Sequence, residues 1–319
     1  MQHYDVFNGD ADGICALVQL RRAQPRDAVL VTGVKRDISL LRQVKAGQGS
    51  QVTVLDVSLD KNRSDLERLL EAGADVFYCD HHFAGEIPRD ARLKTLINPA
   101  PDVCTSLLVN GHLHGAFPAW AAAGAFGDNL RDSALRLARP LGLGETQLLQ
   151  LEQLGIYINY NGYGPSLEDL HFAPADLYRL LSQFDDPFAF MAEGRAHFER
   201  LETGYREDMA AAAALAPEYR DAAAAVYLLP DAAWARRVSG VFGNDLANSD
   251  PVRAHAVVTL RQDGNYLVSV RAPLNNKSGA DVLCREFPTG GGRAAAAGIN
   301  ELPANQLPQF IARIAAFYA

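Results

Sequence analysis

Short apolar runs alternate with amphipathic stretches over the first hundred residues. The runs predict strands at residues 4–7, 29–32, 52–55, 75–79 and 93–97. Between them, apolar residues recur at helical spacing, which predicts helices from Gly13 to about Ala23, from about Ile38, and over 60–72. Strands and helices that alternate at this spacing are typical of an α/β fold with a doubly wound, mainly parallel sheet.

Beyond Thr105 the pattern changes to helical, and it stays helical to about Tyr160. Apolar spacing in 187–216 predicts one or two further helices, which we interpret as a connector. A second, smaller α/β domain follows, with predicted strands and helices at 225–229, 232–247, 254–260, 265–271, 279–286 and from about 303. We therefore expect an N-terminal domain at 1–186, a helical connector at 187–221 and a second domain at 222–319.

Composition narrows the class of protein. The chain has 319 residues, 48% of them hydrophobic, and a formal net charge of −8. That charge argues against long nucleic acid as a partner but allows a short anionic substrate held by a few local cations. The four cysteines are scattered and there is no long apolar run or export signal, so we expect a cytoplasmic protein with reduced thiols and no membrane partner. The oligomeric state is left open, a homodimer included.

Polar side chains follow three of the predicted strands. Asp10 and Asp12 come after the first strand, Asp56 ends the third, and Asp80-His81-His82 ends the fourth. In an open α/β sheet, ligands bind just past the carboxyl ends of the strands. Because buried carboxylates must be paired or bound to metal, packing alone seldom produces such a group.

Each motif alone has an ordinary structural explanation. Asp10-Ala11-Asp12 would suit a turn and a helix N-cap, Asp56 could cap a strand end, and His81 and His82 could be core or surface histidines. Together they favour a site of carboxylates and imidazole, which suits Mn²⁺ or Mg²⁺ better than Cu⁺ or a thiolate zinc site. Two such ions about 4 Å apart can orient a phosphate and activate a water.

These motifs, with Asp128 in Gly127-Asp128-Asn129, resemble the four ordered motifs of the DHH phosphoesterase superfamily. The glycines Gly290, Gly291 and Gly292, followed by Arg293, resemble the signature of the DHHA1 domain. The resemblance covers nearly the whole chain, in the right order. In size and layout the chain is similar to nanoRNases, which degrade very short RNAs, and to hydrolases of the linear dinucleotide pGpG.

The resemblance implies a two-ion manganese centre in the first domain, with Mg²⁺ as a substitute. Asp10 and Asp56 would bind one ion. Asp12, Asp56, His81 and Asp128 would bind the other, so that Asp56 bridges the two. His82 would touch the scissile phosphate, and Asp80 would orient a histidine from behind.

Two positions depart from the family pattern. Asn8 stands where relatives commonly have a histidine that binds the first metal, and an amide oxygen is a weaker ligand than imidazole for a transition ion. We expect the first metal position to fill only at higher metal concentration or with substrate present. Arg293 stands where many relatives have histidine, and its guanidinium would grip a terminal phosphate. A surface arginine is the alternative.

The glycines and a strand-end arginine complete the expected substrate site. Consecutive glycines let a backbone approach a ligand and offer N–H groups to an anion, although a flexible loop has the same composition. Arg271, at the end of a predicted strand, is the second expected cation, with a solvated arginine as the alternative.

The sequence therefore predicts an Mn²⁺-dependent phosphodiesterase that converts short RNA or linear dinucleotides to nucleoside monophosphates. One alternative is a phosphatase acting on 3′-phosphoadenosine 5′-phosphate, since the metal site does not separate the two activities. Another is a non-catalytic module that binds a signalling nucleotide, for which Asn8 is a mild indication. A processive exonuclease on long DNA fits less well, because the net charge is negative.

Overall fold

The computed structural model describes residues 2–319, which form two compact units, one ending at Tyr205 and the other Arg206–Ala319. The strands of the first unit are β1 His3–Phe7, β2 Val29–Val31, β3 Gln51–Leu55, β4 Asp75–Asp80 and β5 Leu93–Ile97. Its helices are α1 Ala11–Ala23, α2 Leu59–Glu71, α3 Thr105–His112, α4 Pro118–Gly127, α5 Arg131–Ala138, α6 Glu145–Asn161, α7 Pro174–Leu181 and α8 Pro187–Glu193. Helix α9, Arg195–Ala213, contains the boundary between the units.

The first sheet is entirely parallel, in the order β2-β1-β3-β4-β5. The chain leaves the carboxyl end of β1 into α1 on one face and leaves β3 into α2 on the other face. Neighbouring strands whose connections diverge in this way open a crevice at their carboxyl ends, the usual ligand position of such sheets. The predicted α/β fold with a parallel sheet is confirmed.

Strict alternation along the strands divides the core into two layers. Phe7, Leu55 and Cys79 face α1, α4 and α6, whereas Val54 and Tyr78 face α2. Successive side chains of a strand point to opposite faces, so a strand covered on both sides reads as a continuous apolar run. That is why these strands could be located from sequence.

The prediction of a helix from about Ile38 is wrong. The segment forms only a short 3₁₀ turn, Leu40–Gln43. Asn62 of α2 donates to the Ile38 carbonyl (2.6 Å) and accepts from the Leu41 N–H (3.2 Å). Because a distant side chain satisfies these backbone groups, the segment is held without a regular helix.

The second unit is built on a mixed six-stranded sheet in the order β10-β11-β9-β8-β7-β6. Its strands are β6 Tyr219–Arg220, β7 Ala224–Leu229, β8 Ala254–Leu260, β9 Tyr266–Arg271, β10 Gly290–Arg293 and β11 Ala296–Leu302. Its further helices are α10 Ala233–Ser249, α11 Ala280–Arg285 and α12 Leu307–Tyr318. Only β7 and β8 are parallel, and the remaining pairs are antiparallel.

Among residues 2–319, no helix combines the length and the apolar character needed to cross a membrane. All four cysteines are buried and free of disulfides.

Candidate metal centre

The loop after β1 places Asn8, Asp10 and Asp12 at the carboxyl edge of the sheet. Strand pairing continues past β1, because the Asn8 N–H donates to the Leu55 carbonyl (3.2 Å). Asp10 is the N-cap of α1, and its Oδ1 accepts from the N–H groups of Asp12 and Gly13, each at 3.1 Å. Gly13 allows this geometry, since a Cβ there would lie 2.3 Å from the Asn8 carbonyl oxygen.

Asp12 is held by the amino terminus of another helix. Its Oδ2 accepts from the Thr105 N–H (2.8 Å) and its Oδ1 from the Ser106 N–H (2.7 Å), both in the first turn of α3. A helix amino terminus favours a negative charge, and α3 directs its first N–H groups at the completely buried Asp12 side chain. The two hydrogen bonds, one to each oxygen, fix the carboxylate in one orientation.

Asp56 follows β3 in a strained conformation and a repulsive environment. Its φ is 57°, in the left-handed region that few non-glycine residues adopt. Burial raises the pKa of Asp56 well above its usual range, and the charges of Asp10 and Asp12 raise it further. The Thr105 hydroxyl donates to it only weakly, at 3.4 Å. A backbone that is strained to bring a buried carboxylate among others is typical of a ligand site.

Asp80 fixes His82 at the end of β4. Asp80 is fully buried, and its Oδ1 accepts from the His81 N–H (2.9 Å) and from Nδ1 of His82 (2.7 Å). The hydrogen bond to Asp80 raises the pKa of His82. Asp80 therefore orients His82, and with Nδ1 engaged, Nε2 is the ring nitrogen left for a ligand.

His81 turns its Nε2 toward the carboxylates. Its Nδ1 lies 3.0 Å from the Val103 carbonyl oxygen, so Nδ1 carries the proton and donates. Its Nε2 lies 3.4 Å from Asp56 Oδ1, 3.9 Å from Asp12 Oδ2 and 3.8 Å from Asp128 Oδ2. A backbone carbonyl behind a histidine in this way selects the tautomer that binds metal.

Asp128 completes the group from the C-terminal end of α4, where it is the C-cap. Burial raises the pKa of Asp128 to about 7, and the charges of Asp12 and Asp10 act in the same direction. Two groups of three residues each have ligand atoms close enough together to hold an ion. One group is Asp12, His81 and Asp128, and the other is Asp56, His81 and His82.

Lys35 is the residue that the sequence did not single out. Its Nζ lies 2.7 Å from Asp10 Oδ2 and 2.8 Å from Asn159 Oδ1. Burial raises the pKa of Asp10, but the Lys35 ammonium and the hydrogen bonds from Gly13 and Asp56 together outweigh burial, so the pKa of Asp10 is lowered. Lys35 follows the short strand β2, and only the parallel order of β1 and β2 brings it beside Asp10.

The donor set fits a hard divalent cation. The repelling carboxylates Asp12, Asp56 and Asp128 share one imidazole nitrogen, the combination that suits Mn²⁺ or Mg²⁺. Within residues 2–319, the buried Oδ1 of Asn8 and Oδ2 of Asp80 have no hydrogen-bond partner. Asn8 Oδ1 is an acceptor left for a cation or a water, which supports its place at the edge of the centre.

The predicted substrate residues Arg271 and Arg293 lie in the second unit. The Arg271 side chain is held inside that unit, since Nε donates to Asn244 (2.7 Å) and Nη1 to Ser269 (2.9 Å). Arg293 is exposed on the edge strand β10 and makes no ion pair with the residues that the structure describes.

The three glycines form strand β10 rather than a loop. A Cβ at Gly290 would lie 1.7 Å from the Cys284 carbonyl oxygen, and Gly292 has a φ of 143° and would place a Cβ 2.5 Å from Ala297 Cα. Both glycines are therefore required by packing. Gly291 has open space around it, so it is the position where packing does not explain the glycine.

No family model and no curated protein sequence matches the chain. Solved structures do. The exonuclease RecJ bound to manganese matches with a TM-score of 0.64 and 20% identity, over 99% of this chain and 90% of that one. The DHH domain of a protein from a family of ribosomal proteins matches with a TM-score of 0.60 and 12% identity, over 99% of this chain and 86% of that one.

The pGpG-specific phosphodiesterase of Vibrio cholerae matches with a TM-score of 0.55 and 15% identity, over 99% of this chain and all of that one (100%). At these identities the likeness concerns the fold. The resemblance that the motifs predict is therefore confirmed at that level, and the chain has the two-part α/β fold of the DHH-domain phosphoesterase structures.

Proposed function

We propose that the chain is an Mn²⁺-dependent phosphodiesterase that hydrolyses short RNA or linear dinucleotides such as pGpG to nucleoside monophosphates. The observation that carries the proposal is the convergence of Asp12, Asp56, Asp128 and Nε2 of His81 at the carboxyl edge of the parallel sheet. These four residues would hold the metal. When bound, the ion would polarise a phosphoryl oxygen and activate a water.

The protein's own groups would position and neutralise the phosphodiester. His82 is held by Asp80 through Nδ1, and its raised pKa favours the protonated ring. Nε2–H could then donate to a phosphate oxygen as negative charge develops there. Asp12 and His81 are fixed from behind by α3 and by the Val103 carbonyl, so the ligands need little rearrangement.

Phe83 offers a place for a base next to the scissile phosphate. It follows His82 directly and is 74% exposed, unusual for a large apolar ring. Stacking of a base on an aromatic ring contributes about 1–3 kcal/mol and tolerates any base. A ring here would bind nucleotides without requiring a particular sequence.

Arg293 and Gly291 are the proposed ligands of the 5′-terminal phosphate. Among the described residues the Arg293 side chain is exposed and has no ion-pair partner, and Gly291 has open space where a side chain would stand. Arg271, whose Nη2 donates to the Gly240 carbonyl (3.3 Å), is proposed as a second cation of this region. A terminal phosphate is the feature that would separate pGpG from GpG.

The proposal is tested by incubating the protein with Mn²⁺ and a panel of substrates, with products resolved by chromatography. The panel holds pGpG, GpG, RNA of two to ten nucleotides, cyclic dinucleotides and 3′-phosphoadenosine 5′-phosphate. Fastest release of monophosphates from the shortest linear substrates supports the proposal. Turnover of the bisphosphate alone would make the protein a phosphatase, and binding without turnover would make it a nucleotide-binding module.

A further inference from the structure

The centre contains a cation of its own, the Lys35 ammonium. Nζ lies between Asp10 Oδ2 (2.7 Å) and Asn159 Oδ1 (2.8 Å), and the Tyr163 ring centroid lies 5.7 Å away. The backbone is fixed as well, because the Lys35 N–H donates to the Gly162 carbonyl (2.9 Å) and the Lys35 carbonyl accepts from Asn8 (3.4 Å). Lys35 is thus anchored at both ends rather than resting on the surface.

Both oxygens of Asp10 are already in use. Oδ1 accepts two N–H groups at the start of α1, and Oδ2 accepts the ammonium. Neither set of candidate metal ligands includes Asp10. By contrast, Asp12, Asp56 and Asp128 all turn an oxygen toward His81 Nε2 with no cation between them. Among residues 2–319, Asp10 therefore has a lysine as its direct ion-pair partner, whereas the other three carboxylates have only His81 and His82 within ion-pair distance.

Lys35 also has a donor to spare. An ammonium carries three N–H groups, and two of them are used by Asp10 and Asn159. Its side chain is 27% exposed, so the third N–H is accessible from solvent at the site. A fixed ammonium beside a metal is well suited to hold a phosphate oxygen, since it acts as a point charge.

We propose that the centre holds one divalent ion, on Asp12, Asp56, His81 and Asp128, and that Lys35 replaces a second ion beside Asp10 and binds the substrate phosphate. The inference rests on the proposed function and replaces the two ions that the resemblance implies with one ion and a lysine. Asn8 fits this assignment, because a weak amide ligand suffices where no ion has to be held.

Metal stoichiometry tests the proposal without any assay of activity. The full-length protein is stripped with EDTA, dialysed against Mn²⁺ up to millimolar concentration, and its bound manganese is counted by elemental analysis. Electron paramagnetic resonance distinguishes an isolated Mn²⁺ from a coupled pair. We expect one ion per chain and an uncoupled spectrum.

Variants at position 35 show whether Lys35 is the reason that only one ion binds. The double variant Asn8→His with Lys35→Met removes the ammonium and supplies an imidazole, and we expect it to bind two ions with a coupled spectrum. Lys35→Arg keeps the charge and should still bind one. Arg36→Met is the matched control, since it removes the neighbouring exposed cation, and it should also bind one.

The outcomes separate this inference from the proposed function. Two ions in the native protein would overturn the inference and leave the phosphodiesterase proposal standing. No bound ion would overturn both. One ion in both the native protein and the double variant would show that Lys35 does not occupy a metal position.

Substrate binding gives an independent readout. With the single ion in place, Lys35→Met should raise KM for pGpG at least tenfold, whereas Arg36→Met should leave it unchanged. An unchanged KM in Lys35→Met would reduce Lys35 to a structural partner of Asp10 and contradict the proposal.

Discussion

At the scale of single residues, the carboxylates of the site lower the free energy of unfolding of the metal-free protein. Asp56 is buried, its φ is 57°, and its pKa is raised by burial and by the surrounding carboxylates. Each of these features costs free energy in the metal-free protein, and each is offset when a cation binds between the carboxylates. We therefore expect opposite effects on stability and on function at this position.

Asp56→Asn tests this opposition. The amide keeps the size and tolerates the left-handed backbone, but it removes the charge. We expect the metal-free variant to unfold at a higher urea concentration than the native protein at pH 8. Activity should fall more than tenfold, a loss of at least ~1.4 kcal/mol in the barrier. A variant that keeps native activity would show that the centre is misplaced.

Asp128 makes a prediction about pH. Its folded-state pKa is about 7, above the value of 3.8 for a free aspartate, because burial disfavours the charged form. A raised carboxyl pKa contributes stability that is complete below pH 4 and is lost as the pH rises through about 7. The raised pKa of His82 acts in the same direction above its usual pKa of 6.5.

The measurement is the free energy of unfolding in EDTA between pH 4.5 and 8. We expect it to fall across that range and to fall less in Asp128→Asn. Saturating Mn²⁺ should flatten the native curve, because the ion replaces the proton. If the free energy of unfolding fell equally steeply with pH in the native protein and in Asp128→Asn, Asp128 would not be the group that titrates in this range.

At the scale of elements, strand ends and helix starts could be predicted because their causes are local. The run 52–55 matches β3, since a strand covered on both faces is mostly apolar. The run 93–97 matches the edge strand β5, which is partly exposed and was located from its apolar ends and the Asn98-Pro99 that follows. The helix from Ile38 failed because its backbone is satisfied by Asn62 from α2. Lys35 was missed for a similar reason, because its partner Asp10 lies in the loop after the neighbouring strand β1 and no spacing along the chain reveals it.

The start of α1 depends on close packing at Gly13. A Cβ there would lie 2.3 Å from the Asn8 carbonyl oxygen, so Gly13→Ala must move the loop that carries Asn8 and Asp10. We expect a loss of about 1–3 kcal/mol in the free energy of unfolding, together with weaker Mn²⁺ binding.

Gly111→Ala is the control, since it also lies in a helix but has open space around it. It should be neutral or stabilise by up to about 1 kcal/mol. Equal effects of the two substitutions in urea denaturation would show that the Asn8 contact is unimportant.

At the scale of the whole molecule, the second unit is where specificity is proposed to lie. A metal centre of this kind would act on any phosphodiester, so in the proposed enzyme discrimination would come from other groups. The sequence predicted a second α/β region and an anion-binding role for its three glycines, with a flexible loop as the alternative. They form an edge strand, because Gly290 and Gly292 each pack where no side chain fits.

Arg293 makes this proposal testable. A charge-assisted hydrogen bond to a 5′-phosphate contributes about 1.5–3 kcal/mol, or about tenfold to a hundredfold in rate at low substrate. We expect pGpG to be cut that much faster than GpG, and Arg293→Ala to erase most of the difference. Hydrolysis of a minimal chromogenic phosphodiester should be unchanged by Arg293→Ala. Equal damage to the minimal substrate would make Arg293 a structural residue.

The central claim is that this carboxylate and histidine cluster hydrolyses phosphodiesters with a bound divalent ion. The most direct measurement is release of monophosphate from pGpG by the native protein in excess EDTA, after re-addition of Mn²⁺, and after re-addition of Mg²⁺. We expect no turnover in EDTA, full recovery with Mn²⁺ and partial recovery with Mg²⁺. Undiminished turnover in EDTA would contradict the claim.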